Sequence, residues 1–225
     1  LKIRCLELHC TGRAGSPNRR LLASVELPVE LMVEPRQRLL RWHSDSLHLL
    51  VLDASGRELF VFNHSIVAYS DSGSAGNAGF TSKCLLVGVV RTATALGPQG
   101  GEGGSAKLAP PPCVSVAGFV AGGALGLHFV FRDGRIMSAA ATLHEAEADP
   151  SGTHHTLALT LVAAQAPPGP ASQVLACTHD EASAACCIMD ATSLHVLAFH
   201  AEESGSCSWS HTACAELPPG GPVVA

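Results

Sequence analysis

The sequence predicts an all-β protein, a partial β-propeller of about three and a half four-stranded blades. Three observations lead there: short apolar segments with strand periodicity, turn signals between them, and a unit that returns along the chain. Hydrophobic residues make up 47% of the 225, so the chain can bury a core, and its length suits one large all-β domain spanning 1–225. An irregular β-sandwich is the alternative that would use similar strands.

The first ordered segments are "LKIRCLEL" (1–8) and "LLASVELPV" (21–29). The stretch "RWHSDSLHLLVLDASGRELFVFNH" (41–64) then reads as the first three strands of a blade, with a hairpin turn at Ser55-Gly56 and Trp42 packed between blades. In "ELFVF", Leu59 and Val61 point one way and Phe60 and Phe62 the other, so both faces of that sheet are covered. Further strands are expected at "CLLVGVVRT" (84–92), "LGLHFVF" (125–131), "HTLALTLV" (155–162) and "LHVLAF" (194–199). The segment "IMSAAATLHEAEA" (136–148) has helix-forming composition, but its first half follows an Asp133-Gly134 turn and is assigned to a strand. Residues 70–80, 97–112 and 163–172 are rich in Gly, Ser and Pro, and ordering them would cost backbone entropy that no buried side chain offsets; they are read as flexible loop insertions.

The repeat rests on "DASGRELFVF" (53–62) and "DATSLHVLAF" (190–199), with "RDGRIMSAA" (132–140) repeating the Gly-Arg turn. Trp42 and Cys177 occupy comparable places, and "LKIRCLEL" leading to "VELP" (25–28) parallels "LHVLAFHA" leading to "AELP" (215–218). On this alignment the chain begins in the third strand of one blade and ends after the fourth strand of another. The rest of the ring is then expected from sequence outside these residues.

Several function classes are disfavoured. Net charge is −5 with only 14 Lys and Arg, too few for the basic stripe of a nucleic-acid interface. Nine irregularly spaced cysteines, mostly within apolar runs, suit reduced thiols in a cytosolic or nuclear protein rather than a secreted disulfide framework. No apolar run is long enough to span a bilayer, and the leading Leu reads as an internal piece of a larger soluble protein.

No residue is assigned a catalytic, cofactor or metal role. Cys207, His211 and Cys214 in "CSWSHTAC" could supply three zinc ligands, yet the segment also alternates as the outer strand of a blade and lacks a fourth ligand at a diagnostic spacing. Cys186 and Cys187 are adjacent in a strand and point to opposite faces. His154-His155 is read as a solvated loop pair. The His43-Ser44-Asp45 run is too local for a catalytic relay and is read as a turn in which Ser44 or Asp45 caps backbone amides. "GPQGGEGG" lacks the Lys-Ser or Lys-Thr of a phosphate loop, "PPPC" (110–113) is a stiff lead-in to a strand, and "LLVGVV" and "GFVAGG" are read as apolar inner strands.

In order, Trp42, the strand Leu47 to Leu50, a Gly turn, "VFNH", the run Leu85 to Thr92 and Pro110 to Cys113 resemble the amino-terminal WD40-like propellers of the largest Elongator subunit, the IKAP-type scaffold. The resemblance implies a non-catalytic scaffold, docked to other protein subunits of a complex that modifies wobble uridines of transfer RNA, with no small-molecule substrate and no direct nucleic-acid contact here. A propeller from a vesicle-tethering or coat-associated scaffold is the alternative, and a propeller-fold enzyme the second. A cytoplasmic location, with the nucleus as a second compartment, goes with the scaffold reading.

Overall fold

Hairpin after hairpin, the chain folds back beside the strand it has just made. The computed structural model describes residues 2–9, 18–26, 39–70, 78–96, 110–121, 124–142, 156–167, 173–180, 184–202 and 205–218, with the backbone alone for 2–9, 18–26, 39, 64–70, 78–85 and 121. Strands β1 (Lys2–His9) and β2 (Asn18–Glu26) form an antiparallel hairpin. The first four-stranded sheet is β3 (Leu39–Trp42), β4 (His48–Leu52), β5 (Glu58–Ser70) and β6 (Ala78–Arg91). The second is β7 (Cys113–Ala121), β8 (Ala124–Phe131), β9 (Ile136–Thr142) and β10 (Ala158–Gln165), and the third is β11 (Ala176–Asp180), β12 (Ala185–Met189), β13 (Ser193–Ala201) and β14 (Cys207–Glu216). Each sheet keeps chain order, as an antiparallel meander. One hairpin and three such sheets make a partial β-propeller, with the hairpin in the place of a third and fourth strand.

The recurring aspartates explain why the hairpins close where they do. Asp53, Asp133 and Asp190 all occupy the turn between the second and third strands of their sheets. Asp53 Oδ1 accepts the amides of Arg57 and Glu58 at 2.8 and 2.9 Å, and Asp190 Oδ1 accepts those of Thr192 and Ser193, both at 2.8 Å. Asp133 accepts from the Arg135 amide at 3.2 Å and from its guanidinium at 2.7 Å. Gly56 takes a φ of +68°, which a side chain would strain. It also lies against the backbone of Cys113, whose amide donates to the Gly56 carbonyl at 2.9 Å, so this turn ties the first sheet to the second.

The sheets stack face to face in the same sense. β3 and β11 both contact β7, which joins the first strands, while β10 contacts β14 and β2 contacts β6, which joins the fourth strands. Between sheets one and two lie Leu50, Leu59, Val61, Leu127, Phe129 and Phe131. Between sheets two and three lie Val130, Ile136, Cys186, Ile188, Leu197 and Trp209. Successive residues of β8 thus serve opposite faces, and each fully buried Leu or Phe stabilises the stack by roughly 1.5–3 kcal/mol. On β5, Leu59 and Val61 face sheet two, and Phe60 and Phe62 are buried on the other face.

Three expectations change. Trp42 is 39% exposed at the end of β3, so it is not the buried residue expected between blades; its neighbour His43, 3% exposed, reaches the second sheet instead. "LLVGVV" belongs to β6, a fourth strand rather than an inner one, since apolarity on both faces reports stacking between sheets, not position across a sheet. β10 continues through Gln165, past the expected start of the loop at 163, and the rest of that loop from 168 to 172 lies outside the described residues. The bulk of the other two loop insertions, 71–77 and 97–109, also lies outside them.

Candidate functional site

Where the second and third sheets meet, they enclose a cavity of about 270 Å³ lined by Phe119, His128, His179, Asp180, Phe199 and Trp209, among others. Strand alternation places these groups: His128 shares the face of Val130, and Phe199 shares that of Leu197. The His128 ring stacks on Phe119 at 4.3 Å between centroids and meets Phe199 and Trp209 nearly edge-on at 4.6 and 4.9 Å. The Trp209 indole donates to Ser138 Oγ at 2.8 Å, and Ser138 Oγ shares a hydrogen bond of 2.8 Å with His128 Nδ1. Burial, reinforced by His179 and His43, brings His128 down from 6.5 to about 3, so it is neutral at physiological pH.

His179 also belongs to a thiol cluster at the edge of the cavity. Cys177 Sγ lies 3.7 Å from Cys186 Sγ and 3.9 Å from His179 Nε2. A hydrogen bond from Cys186, opposed by burial and aided by His179 and Ser115, lowers the Cys177 thiol. Cys186, as the donor of that bond and a buried group, is raised. The sequence reading paired neither residue. Cys177 and His179 are two apart on one strand, which places them on one face, but the contact with Cys186 depends on the register in which β12 returns.

The zinc set considered from sequence is divided. His211 and Cys214 cluster with His195 rather than with Cys207: His195 Nδ1 and His211 Nε2 are 3.2 Å apart. Cys207 sits at the opposite end of β14, across from Ala201, because a ten-residue strand separates its ends. Cys186 and Cys187 do point to opposite faces, the first buried in the core. Cys113, Cys177, Cys186, Cys187, Cys207 and Cys214 are all free thiols. His154-His155 lies outside the described residues.

The His43-Ser44-Asp45 run forms the turn between β3 and β4. Asp45 Oδ1 accepts the Leu47 and His48 amides at 2.8 and 3.0 Å, and Oδ2 accepts from His48 Nδ1 at 2.7 Å. Partial burial would raise the Asp45 carboxyl, but these bonds outweigh it and hold it at about 2. His43 Nδ1 accepts the Asp45 amide at 3.1 Å, and its Nε2–H reaches the Gly126 carbonyl of the second sheet at 2.9 Å. A Cβ at Gly118 would collide with the His43 ring.

No protein-family model and no curated protein matches the sequence. Among solved structures, the chain is similar to Kluyveromyces lactis Hsv2, at 10% identity and a TM-score of 0.43, over 96% of this chain and 56% of that one. It is also similar to the periplasmic gluconolactonase PpgL of Pseudomonas aeruginosa, at 12% identity and a TM-score of 0.40, over 86% of this chain and 42% of that one. The chain thus spans about half the length of the structures it matches. Among the described residues, no helix is long and apolar enough to cross a membrane.

Proposed function

We propose that the chain is a non-catalytic docking segment of a propeller scaffold, of the kind found in the largest Elongator subunit. The observation that carries this reading is the distribution of exposed apolar side chains. Of the six large ones among the described residues, Leu40, Trp42, Val120 and Leu175 lie on or beside first strands, Leu47 lies in the turn that leads from the first strand of its sheet into the second, and Leu161 lies on a fourth. An apolar edge shared by consecutive blades is what a protein partner can cover, because aromatic and aliphatic side chains carry most of the energy of an interface. Trp42, where the family resemblance begins, belongs to that edge.

Three polar groups that sequence and burial single out are engaged in holding the fold. Asp45 and His43 fix a turn and a sheet contact, and His128 is stacked and hydrogen-bonded as a neutral ring. The acidic balance of the chain agrees with partners that are proteins rather than nucleic acid.

The test is affinity capture of the full-length parent protein, wild type and Trp42→Ala, with mass spectrometry of what accompanies it. The reading expects the other Elongator subunits with the wild type and their depletion with the variant. Recovery of tethering or coat components instead would keep the docking role and remove the family. Equal recovery of Elongator subunits by both forms would remove the first-strand edge as the surface.

A further inference from the structure

We propose that Cys177, His179 and Cys186 form a zinc site with one coordination position left open. The three ligand atoms lie within 4.8 Å of one another. A tetrahedral zinc ion with Zn–S near 2.3 Å and Zn–N near 2.0–2.1 Å requires edges of about 3.8 Å between sulfurs and about 3.6 Å between sulfur and nitrogen. The observed edges are 3.7 Å for Cys177 to Cys186 and 3.9 Å for Cys177 to His179. Two edges of the cluster thus have the dimensions of the ion it would hold, and the third, from His179 to Cys186, lies within 4.8 Å.

The backbone enforces this arrangement. Cys177 and His179 project from the same face of β11, and Cys186 stands directly across from His179 in the β11–β12 pairing. Cys177 is accordingly a diagonal neighbour of Cys186, with Cα atoms about 7–8 Å apart, at the far limit for a disulfide. Two cysteines held near each other yet poorly placed to bond are suited to sharing a metal.

A second observation supports the cluster. Ser115, on β7 against it, is 2% exposed and its hydroxyl hydrogen-bonds to the Cys177 sulfur. A hydroxyl donating to a ligand sulfur is the kind of outer contact that holds a metal-bound thiolate in place. Arg41 Nε, on neighbouring β3, is buried without a hydrogen-bond partner. His179 also lines the 270 Å³ cavity, which gives the ion a route in and the open position access to water or a small ligand.

The test uses the whole protein, reduced with a non-thiol reductant and loaded with zinc or, as a spectroscopic probe, cobalt(II). One zinc per chain should survive dialysis, and the cobalt form should show sulfur-to-metal charge transfer with the intensity of two thiolates. Zinc should protect Cys177 and Cys186, but not Cys214, from alkylation as mapped by mass spectrometry. Cys177→Ser and His179→Gln should each weaken zinc binding at least tenfold, and Cys214→Ser should leave it unchanged. A one-thiolate cobalt spectrum, protection of Cys214 in place of the pair, or no retained metal would overturn the proposal. The first two of these readouts need only the wild-type protein, so a variant that fails to fold does not decide the matter.

Discussion

The two interfaces between the three sheets are built from different material. The first is closed by aliphatic and aromatic side chains, with Leu50, Leu59, Val61, Leu127 and Phe129 all at 1% exposure or less, and with polar ties at Gly56, at His43 and between the Leu157 amide and the Val89 carbonyl. The second carries a cavity, an indole–hydroxyl–imidazole chain and a thiol cluster in the same space. A stack of blades needs only the first kind of contact to hold. Polar and titratable groups in the second interface must each find partners, so the places where they do not are the places to look for a ligand.

The largest expected loss comes from opening the first interface. Phe129→Ala removes a fully buried ring between sheets one and two and should cost about 3–5 kcal/mol in chemical denaturation. A loss under about 1 kcal/mol would mean that this interface is not the packed one.

Acid should find the second interface instead. The unfolded chain takes up a proton on His128 near pH 6.5, whereas the folded chain does not until about pH 3. Stability from this group is therefore complete above pH 6.5 and declines as the pH falls toward 3, by about 1.4 kcal/mol per unit. Urea titrations between pH 6.5 and 5 should show that slope in the wild type and a flatter one in His128→Gln; equal slopes would remove His128 as the acid-sensitive element. The smallest effect belongs to the exposed edge: Trp42→Ala should cost about 1 kcal/mol or less, checked by the same titration at neutral pH.

The blades were legible in the sequence because their turns are chemically explicit. Asp53, Asp133 and Asp190 each announce a hairpin by residue type alone, and the alternation in "ELFVF" announces two covered faces. Trp42 was misread since a large aromatic beside a strand is equally at home between blades or on an edge, and only the neighbouring sheet decides. The same limit hid Trp209, whose partner Ser138 is 71 residues away in sequence. The two His/Cys clusters were not legible in full for a related reason: Cys186 and His195 reach their neighbours by strand register, which composition and spacing do not encode, although His211 and Cys214 are singled out by the sequence.

The central claim is that four-stranded sheets stack face to face in chain order, and one double-mutant cycle tests it across the less uniform interface. Trp209 Nε1 and Ser138 Oγ, on different sheets, are 2.8 Å apart in buried surroundings. With Trp209→Phe and Ser138→Ala measured singly and together, the stacked arrangement predicts a coupling of about 1 kcal/mol. A coupling indistinguishable from zero would place the two sheets apart and contradict the stack.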